Sequence, residues 1–405
     1  MKPARGSRRR EACGYRDIVR IAVYHNLPYG GAIRAMREQI KRLGDQVEAI
    51  YTFGNTTNRG QEPDERTVHF NLKQHRGLKR PFGRLNGFVS ILNLRLMHKA
   101  CRRIAERIDS EGYDVVLVHS CFTTQTPPIL QYLKTPTVYY CHEPLRAIHE
   151  PLIKGRAFTP IADPADILFA RVAAVSEYRG LAAATKVLSN SYHIRESLLK
   201  LYGVDSDVCY LAVDTDLFRP KDLPKQRMVI SVGALAPFKG HEFIIRSLAT
   251  IEAEKRPLLM IVCGVYKLEG IEPLQQMCDG LGVRVKFFPG ATDEELVDLY
   301  NRASVTAYAP ILEPFGLIPL ESMACGTPVV GVAEGGVRET IVDGATGVLT
   351  RRDPEEFAAA LMRFVEDTAL SAEMGRAGRE CVLAKWTWDR SVRQLEKALE
   401  EMCRR

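Results

Sequence analysis

Residues 306–330 read TAYAPILEPFGLIPLESMACGTPVV. The stretch opens as an apolar strand and passes through a loop holding Glu313 before Pro314. From Phe315-Gly316 it becomes a helix that ends near Gly326. Because Pro314 disfavours helical geometry in the residue before it, Glu313 is expected in the loop, in front of the helix N-terminus. Glu321 falls in the first helical turns. A helix N-terminus presents unpaired N–H groups and a positive dipole end, which together hold an anion such as a diphosphate, and glycine at 316 permits close approach. One carboxylate in front of such a helix and one within it can grip sugar hydroxyls and a ribose. Spacing alone equally allows a plain loop acid and a helix acid that complements the dipole by about 0.3–1 kcal/mol.

Outward from this stretch the same alternation fills the chain. Short apolar runs rich in β-branched residues alternate with amphipathic helical stretches, as βα units around a parallel sheet require. One series begins with Ile18–Tyr24, turns at Leu27-Pro-Tyr-Gly-Gly and enters a helix from Ala32 to Leu43. It continues through Val115–His119, Thr137–Cys141 and Lys186–Ser189. A second series begins at Met228–Val232 and continues through Leu258–Cys263, Val283–Phe287, Val305–Tyr308 and Val329–Val332. The fold class is therefore α/β with two Rossmann-like domains, and a chain of 405 residues exceeds the size at which one core stops growing. Phe218-Arg-Pro-Lys-Asp-Leu-Pro-Lys-Gln-Arg carries two prolines and no apolar periodicity, and reads as the linker. The expected division is a basic tail over 1–16, an N-terminal Rossmann-like domain over 17–222, a C-terminal domain over 223–388 and a last helix over 389–405. That helix follows Trp386 and Trp388 and can pack on either domain, including back on the N-terminal one.

Composition narrows the classes. Apolar residues make up 46% and charged residues 26%, as in an ordinary globular protein, and no apolar run reaches the roughly 18 residues of a membrane span. MKPARGSRRR is not followed by the apolar stretch of a signal peptide, so a cytoplasmic location is expected. The ten cysteines form no Cys-x-x-Cys pair and read as reduced, mostly buried small hydrophobes rather than metal ligands. Charge is uneven: residues 1–222 hold 34 Lys and Arg against 23 Asp and Glu, whereas 223–405 hold 22 against 26. Residues 71–103 contain nine Lys or Arg and no acid, a patch for phosphates or anionic lipid. No helix-turn-helix, RNA-recognition or zinc-finger signature accompanies it, so nucleic acid is not an expected partner.

The motif around Glu313 and Glu321, E-P-F-G-L-x-x-L-E-x-M-A-C-G-T-P-V-V, resembles the signature of the retaining glycosyltransferases of family 4, which have the GT-B fold of two Rossmann-like domains whose parallel sheets face across a cleft. The resemblance extends through Gly335-Gly336-x-x-Glu339 and Asp343-Gly344-x-x-Gly347, and upstream through Ser231-Val-Gly-Ala-Leu-Ala-Pro-Phe-Lys-Gly. In the first half it takes in Tyr140-Cys-His-Glu-Pro, Ser189-Asn-Ser and Val213-Asp-Thr-Asp-Leu-Phe, covering residues 18 to 390 in all.

The resemblance implies transfer of a hexose from a nucleotide-sugar, with a UDP, GDP or ADP leaving group, to a glycan or lipid-linked acceptor with retained anomeric configuration. Glu313 would contact the transferred sugar beside the backbone N–H groups of Phe315, Gly316 and Leu317. Glu321 would hold the ribose, and Lys239, after Gly233, would meet the diphosphate. No cofactor and no metal are expected, because no Asp-x-Asp pair follows a nucleotide-binding strand; Asp214-Thr-Asp216 lies before the linker. One departure stands out: the family has an arginine where this chain has Ala234. Lys239 then acts alone, another basic residue reaches in, or activity is weakened.

His142 follows an apolar strand, at the sheet edge where α/β ligands bind; a lone histidine there is otherwise a hydrogen-bonded core residue. The resemblance makes it an active-site histidine, with Glu143 as a candidate to orient its ring or a solvent-facing acid. Gly30 and Gly31 open the first helix, either for close substrate approach or as a plain tight turn. Leu85, Phe88, Val89, Leu92 and Leu96 share one helical stripe, with Arg84, Arg95, Lys99, Arg102 and Arg103 around it. The stripe reads as a dock for an anionic bilayer bearing a lipid-linked acceptor, or as a core face under a solvated basic one. Rival readings are a nucleotide-sugar epimerase or phosphorylase on a similar scaffold, and a binder without catalysis.

Overall fold

A computed structural model describes residues 19–27, 30–54, 64–79, 82–146, 164–264 and 268–404; the basic tail read over 1–16 lies outside the described residues. Among the described residues two sheets are present. The first holds β1 (Ile21–Asn26), β2 (Val47–Phe53), β3 (Thr67–Phe70), β4 (Val115–Cys121), β5 (Thr137–Cys141), β6 (Lys186–Ser189) and β7 (Asp207–Val208), in the order β3-β2-β1-β4-β5-β6-β7. The second holds β8 (Gln226–Val232), β9 (Leu258–Cys263), β10 (Val285–Pro289), β11 (Ala303–Tyr308), β12 (Val329–Val332) and β13 (Gly347–Thr350), in the order β10-β9-β8-β11-β12-β13. Every ladder is parallel. In each sheet the opening strand sits centrally and the order reverses beside it, at β1/β4 and at β8/β11. At such a switch point a crevice opens beyond the strand ends.

Helices α1 (Gly31–Leu43), α2 (Asn86–Glu111), α3 (Pro164–Ala183) and α4 (Tyr192–Tyr202) accompany the first sheet. The second carries α5 (His241–Ala249), α6 (Ile271–Leu281), α7 (Asp293–Arg302), α8 (Leu317–Ala324), α9 (Val337–Thr340), α10 (Pro354–Glu366) and α11 (Thr368–Lys385), and α12 (Trp388–Cys403) ends the chain. Alternate residues of β1 face opposite layers. Ala22 and Tyr24 pack on Met97, Cys101, Ile104 and Ile108 of α2, while Ile21 and Val23 join Ile33, Met36 and Ile40 of α1 and Leu395 and Leu399 of α12. Each fully buried Ile, Val, Leu or Met among them contributes about 1.5–3 kcal/mol relative to exposure.

Strands buried on both faces read as unbroken apolar runs, which is why β4, β5, β9 and β12 stood out in the sequence. The strands that the sequence reading missed break that pattern. Glu48 interrupts β2, β3 is a half-exposed edge, β7 has two residues and β13 is a short edge. The expected strand Val283–Phe287 lies two residues later, because the Val283 N–H donates to Cys278 O and completes the turn after α6. The last helix packs back on the N-terminal sheet. The chain returns through a bridge between Val213 and Thr387, Ser391 Oγ donates to Tyr210 O, and Arg42 Nε lies 3.3 Å from Asp389 Oδ1.

The reading of the Leu85–Leu96 stripe as a core face is corrected: it does not face the core. Leu85, Phe88 and Leu92 are 46%, 53% and 43% exposed, because the buried line of α2 runs through Leu94, Met97, Cys101, Ile104 and Ile108 instead. Seven of the nine described cysteines are buried, Cys381 is half-buried and Cys403 is exposed. Among the described residues no helix is long and apolar enough to cross a membrane.

Candidate functional site

Beyond β11 the chain must turn sharply to present Glu313, and several groups hold it there. The Ile311 N–H donates to Phe238 O at 2.8 Å, and Arg352 donates to Ala309 O and Pro310 O while gripping Glu334 through two nitrogens. Leu312 takes φ +46°, unusual for a branched side chain and tolerated only where surrounding contacts fix it. Gly335 and Gly336 lie directly beneath. A Cβ on Gly335 would stand 2.4 Å from Glu313 O and one on Gly336 2.4 Å from Pro314 O, and the Gly336 N–H donates to Glu313 O at 2.8 Å. Phe315 drives its ring into the core against Trp386 and Tyr210, at 5.6 and 6.0 Å between centroids. Gly316, at φ +107°, then caps α8, a conformation that needs glycine.

Glu313 therefore stands in front of α8, with Lys239 Nζ 3.0 Å from its Oε2. Lys239 ends a single helical turn, Pro237–Lys239, after Gly233, whose Cβ, if built, would lie 3.7 Å from the Lys239 side chain. His241, not singled out from the sequence, supports this loop. Its Nε2–H donates to Ala234 O at 3.2 Å, since a carbonyl only accepts, so Nδ1 accepts a hydrogen bond from the Ser231 hydroxyl at 3.0 Å. The Ala234 side chain itself is exposed.

Glu321, in the second turn of α8, is 8% exposed. The Tyr300 hydroxyl donates to its Oε2 at 3.2 Å, and Arg34 of α1 reaches across to 3.9 Å from its Oε1. Burial raises its pKa above the usual carboxyl range, while Arg34 and Tyr300 hold the rise back.

The N-terminal half meets this cluster closely. Gly30 caps α1, and a Cβ on Gly31 would stand 3.1 Å from Leu317 Cδ1, so the two helix N-termini face each other. Arg146 Nη2 donates to Ile311 O at 2.7 Å, Ser191 Oγ to Pro314 O at 2.6 Å, and Glu339 accepts the N–H groups of Tyr192 and His193 that open α4. Asn190 pins the main chain of His142 by donating to its carbonyl at 3.0 Å. Glu143 does not orient the His142 ring. It lies 3.7 Å from Arg146, and the ring is instead bonded to His119, 3.3 Å between His119 Nδ1 and His142 Nε2. The sequence carried no signal for His119, an apparent core residue of β4.

Burial lowers the pKa of His142, His241 and His193 to about 4 and that of His25 to about 3, and drops His119 well below the ordinary value. Unfolding frees these rings to take up protons near pH 6.5. Their contribution to stability is therefore complete above pH 6.5 and is lost as pH falls toward 4, at about 1.4 kcal/mol per pH unit for each ring. A Tm-against-pH series is expected to fall steeply over that window, and His142→Gln to flatten it. A curve that stays level down to pH 4 would contradict neutral buried rings.

Comparison with known proteins completes the picture. The model described as Glycosyltransferase Family 4 matches residues 29–217, and that described as Glycosyl transferases group 1 matches residues 214–381. The D-inositol 3-phosphate glycosyltransferase of Streptomyces avermitilis is 32% identical, over 60% of this chain and 55% of the relative, so the chain spans about half of that relative's length. The protein of the same name from Thermomonospora curvata is 28% identical over 90% of this chain and 89% of its own. Among solved structures, sucrose-phosphate synthase from Thermosynechococcus elongatus superposes with TM-score 0.74 at 22% identity, covering 95% of this chain and 99% of that one. Anabaena HepE in complex with UDP and glucose gives 0.70 at 20% identity, covering 94% and 99%. At such identities the likeness speaks to the fold, which is GT-B. Together the two family models run from residue 29 to residue 381, through the strand end of His142 and the loop of Glu313 alike, and the chain belongs to the family 4 glycosyltransferases.

Proposed function

We propose that the protein transfers a hexose from a nucleotide-sugar to a glycan or lipid-linked acceptor, with retention, in the crevice between the two sheets. The observation that carries this reading is the Lys239–Glu313 pair in front of the α8 N-terminus, with buried Glu321 behind it. In this reading the incoming diphosphate takes Lys239 and the N–H groups of α8, and releases Glu313 to the hydroxyls of the transferred sugar. Glu321 accepts the ribose hydroxyls. A charge-assisted hydrogen bond from Lys239 contributes about 1.5–3 kcal/mol and strengthens as the leaving group gains charge. Arg146 already donates to Ile311 O of the Glu313 loop, so in this reading Lys239 and the α8 N–H groups meet the diphosphate without the arginine that Ala234 replaces. The leaving phosphate takes the acceptor proton on the same face, so no separate base is required, and no metal is invoked.

HepE was solved with UDP and glucose, so a UDP-sugar is the first donor to try. The purified chain is incubated with UDP-, GDP- and ADP-sugars, with and without inositol phosphate, sugar phosphates or a lipid extract, and nucleoside diphosphate release is followed with product configuration by NMR. Acceptor-dependent release with retention supports the proposal. Sugar interconversion without acceptor would identify an epimerase, dependence on inorganic phosphate a phosphorylase, and binding without turnover a binder.

The acceptor side gives the lipid reading its support. Besides Leu85, Phe88 and Leu92, Phe82 is exposed. Helix α3 runs beside α2, with His98 Nε2 2.9 Å from Ser176 Oγ, and it also exposes Ile167, Leu168 and Val172. Asn86 and Asn93 each exchange two hydrogen bonds with the backbone at Leu78 and His75, fixing exposed Lys73, Arg76 and Lys79 alongside. An apolar ridge with a basic flank fits an anionic bilayer. The protein is expected to sediment with phosphatidylglycerol vesicles, and Phe88→Asp with Leu92→Asp to abolish this. At about 1 kcal/mol per basic residue, reversing Lys99, Arg102 and Arg103 to Glu should weaken binding at least about 100-fold. Sedimentation unchanged by both sets would remove the membrane from the proposal.

A further inference from the structure

The crevice end of the first sheet holds three histidines on neighbouring strands: His25 on β1, His119 on β4 and His142 just past β5. They are 5%, 0% and 7% exposed. His25 Nδ1 accepts the Leu27 N–H at 3.4 Å and so is tied to its own turn. His119 and His142 are tied to each other. Their rings stack at 5.6 Å and 23°, Nδ1 of one lies 3.3 Å from Nε2 of the other, and Tyr140 lies against both. His119 Nε2 is sealed from solvent with no hydrogen-bond partner, while neither nitrogen of His142 is in that position.

Only one proton can lie between two neutral rings. If His142 donated it, the remaining proton of His119 would sit on the sealed Nε2 as a buried N–H with nothing to bond. If His119 donates it, the sealed atom is a bare lone pair. Orphaned buried N–H groups are the rarer defect, because the donor has a single proton to satisfy and no water to give it to. Both rings are deprived of solvent, which keeps both neutral at pH 7.

We propose that His119 is a positioning residue: its Nδ1–H donates to His142 Nε2, fixing His142 as the tautomer that carries its proton on Nδ1 and donates from there to a substrate oxygen. This deepens the transferase reading above and rests on it for the identity of that oxygen, a sugar hydroxyl or phosphate oxygen, while the tautomer itself does not. The partner on one ring nitrogen sets the proton on the other, as outer partners do for ligating histidines. The fixed element is β4: His119 lies opposite Tyr140 in the ladder with β5, so the donor cannot swing away.

The test is two-bond 1H–15N correlation spectroscopy of the full chain labelled with 15N-histidine, His142 being assigned by loss of its signals in His142→Gln. The expected spectrum shows His142 protonated at Nδ1 with an unprotonated Nε2. His119→Asn, whose amide N–H can occupy the place of Nδ1–H, is expected to keep that pattern. His119→Leu should lose it and lower kcat about 10- to 100-fold with the donor KM unchanged. His142 protonated at Nε2 in the unaltered protein would overturn the proposal, even if His119→Leu does not fold. Equal loss of kcat in the Asn and Leu variants would overturn it too, because packing would then be the whole role. If no nucleotide-sugar is turned over, the spectrum still decides the tautomer, and only the transferase reading fails.

Discussion

Lys239→Ala is expected to lower kcat about 10²–10³-fold, the usual cost of removing one preorganised charge aimed at a developing anion. Among the described residues its basic neighbours are otherwise engaged: position 234, where the family has an arginine, is alanine, and Arg146 and Arg352 bond the backbone of the Glu313 loop. Lysine offers one compact charge 3.0 Å from Glu313, so Lys239→Arg, with its planar fork, is expected to restore little. Part of the loss is indirect, since the variant leaves the Glu313 carboxylate, 16% exposed, without its cation. A double-mutant cycle with Glu313→Gln separates the two: coupling of about 1 kcal/mol or more is expected for groups in contact. Independent, additive losses would mean that the two side chains do not act in one step.

Gly336→Ala is expected to be nearly as damaging through geometry alone. The added methyl would meet Pro314 O at 2.4 Å and Phe315 Cα at 2.8 Å, both backbone atoms with no freedom to swing aside. The loop must shift, breaking the Gly336 N–H bond to Glu313 O and moving the carboxylate. Overpacking of this kind costs about 1–3 kcal/mol, and a 1 Å misplacement of a positioned group about 10²-fold in rate. The expected result is a lower Tm together with a loss of kcat far beyond what the stability change explains at 25 °C. Val337→Ala, the next residue in sequence, lies in the core and should lower Tm without that loss of rate.

Much of the fold was legible because parallel strands buried on both faces write themselves as apolar runs, and Pro314 fixed where the loop around Glu313 had to be. The sequence also placed Lys239, Glu313, Glu321, Gly31 and Leu317 on segments that the structure brings together across one crevice. What stayed hidden depends on the third dimension. His119 looks like any residue of a buried strand until β5 lays His142 beside it. The α2 stripe pointed outward because α2 takes its buried face from residues further along, a rotation that local periodicity does not set. Gly335-Gly336 matched a family pattern, but only the packing shows why no side chain fits there.

If Lys239, Glu313 and Glu321 form one nucleotide-sugar site, thermal unfolding of the protein, and of Glu321→Ala, with UDP, GDP, ADP and their common sugars reads it directly, because a ligand bound only by the folded state raises Tm by mass action. One nucleotide series that raises Tm in the natural sequence and fails to do so in Glu321→Ala is the predicted result. No shift with any of them, or an equal shift in both proteins, would contradict the site.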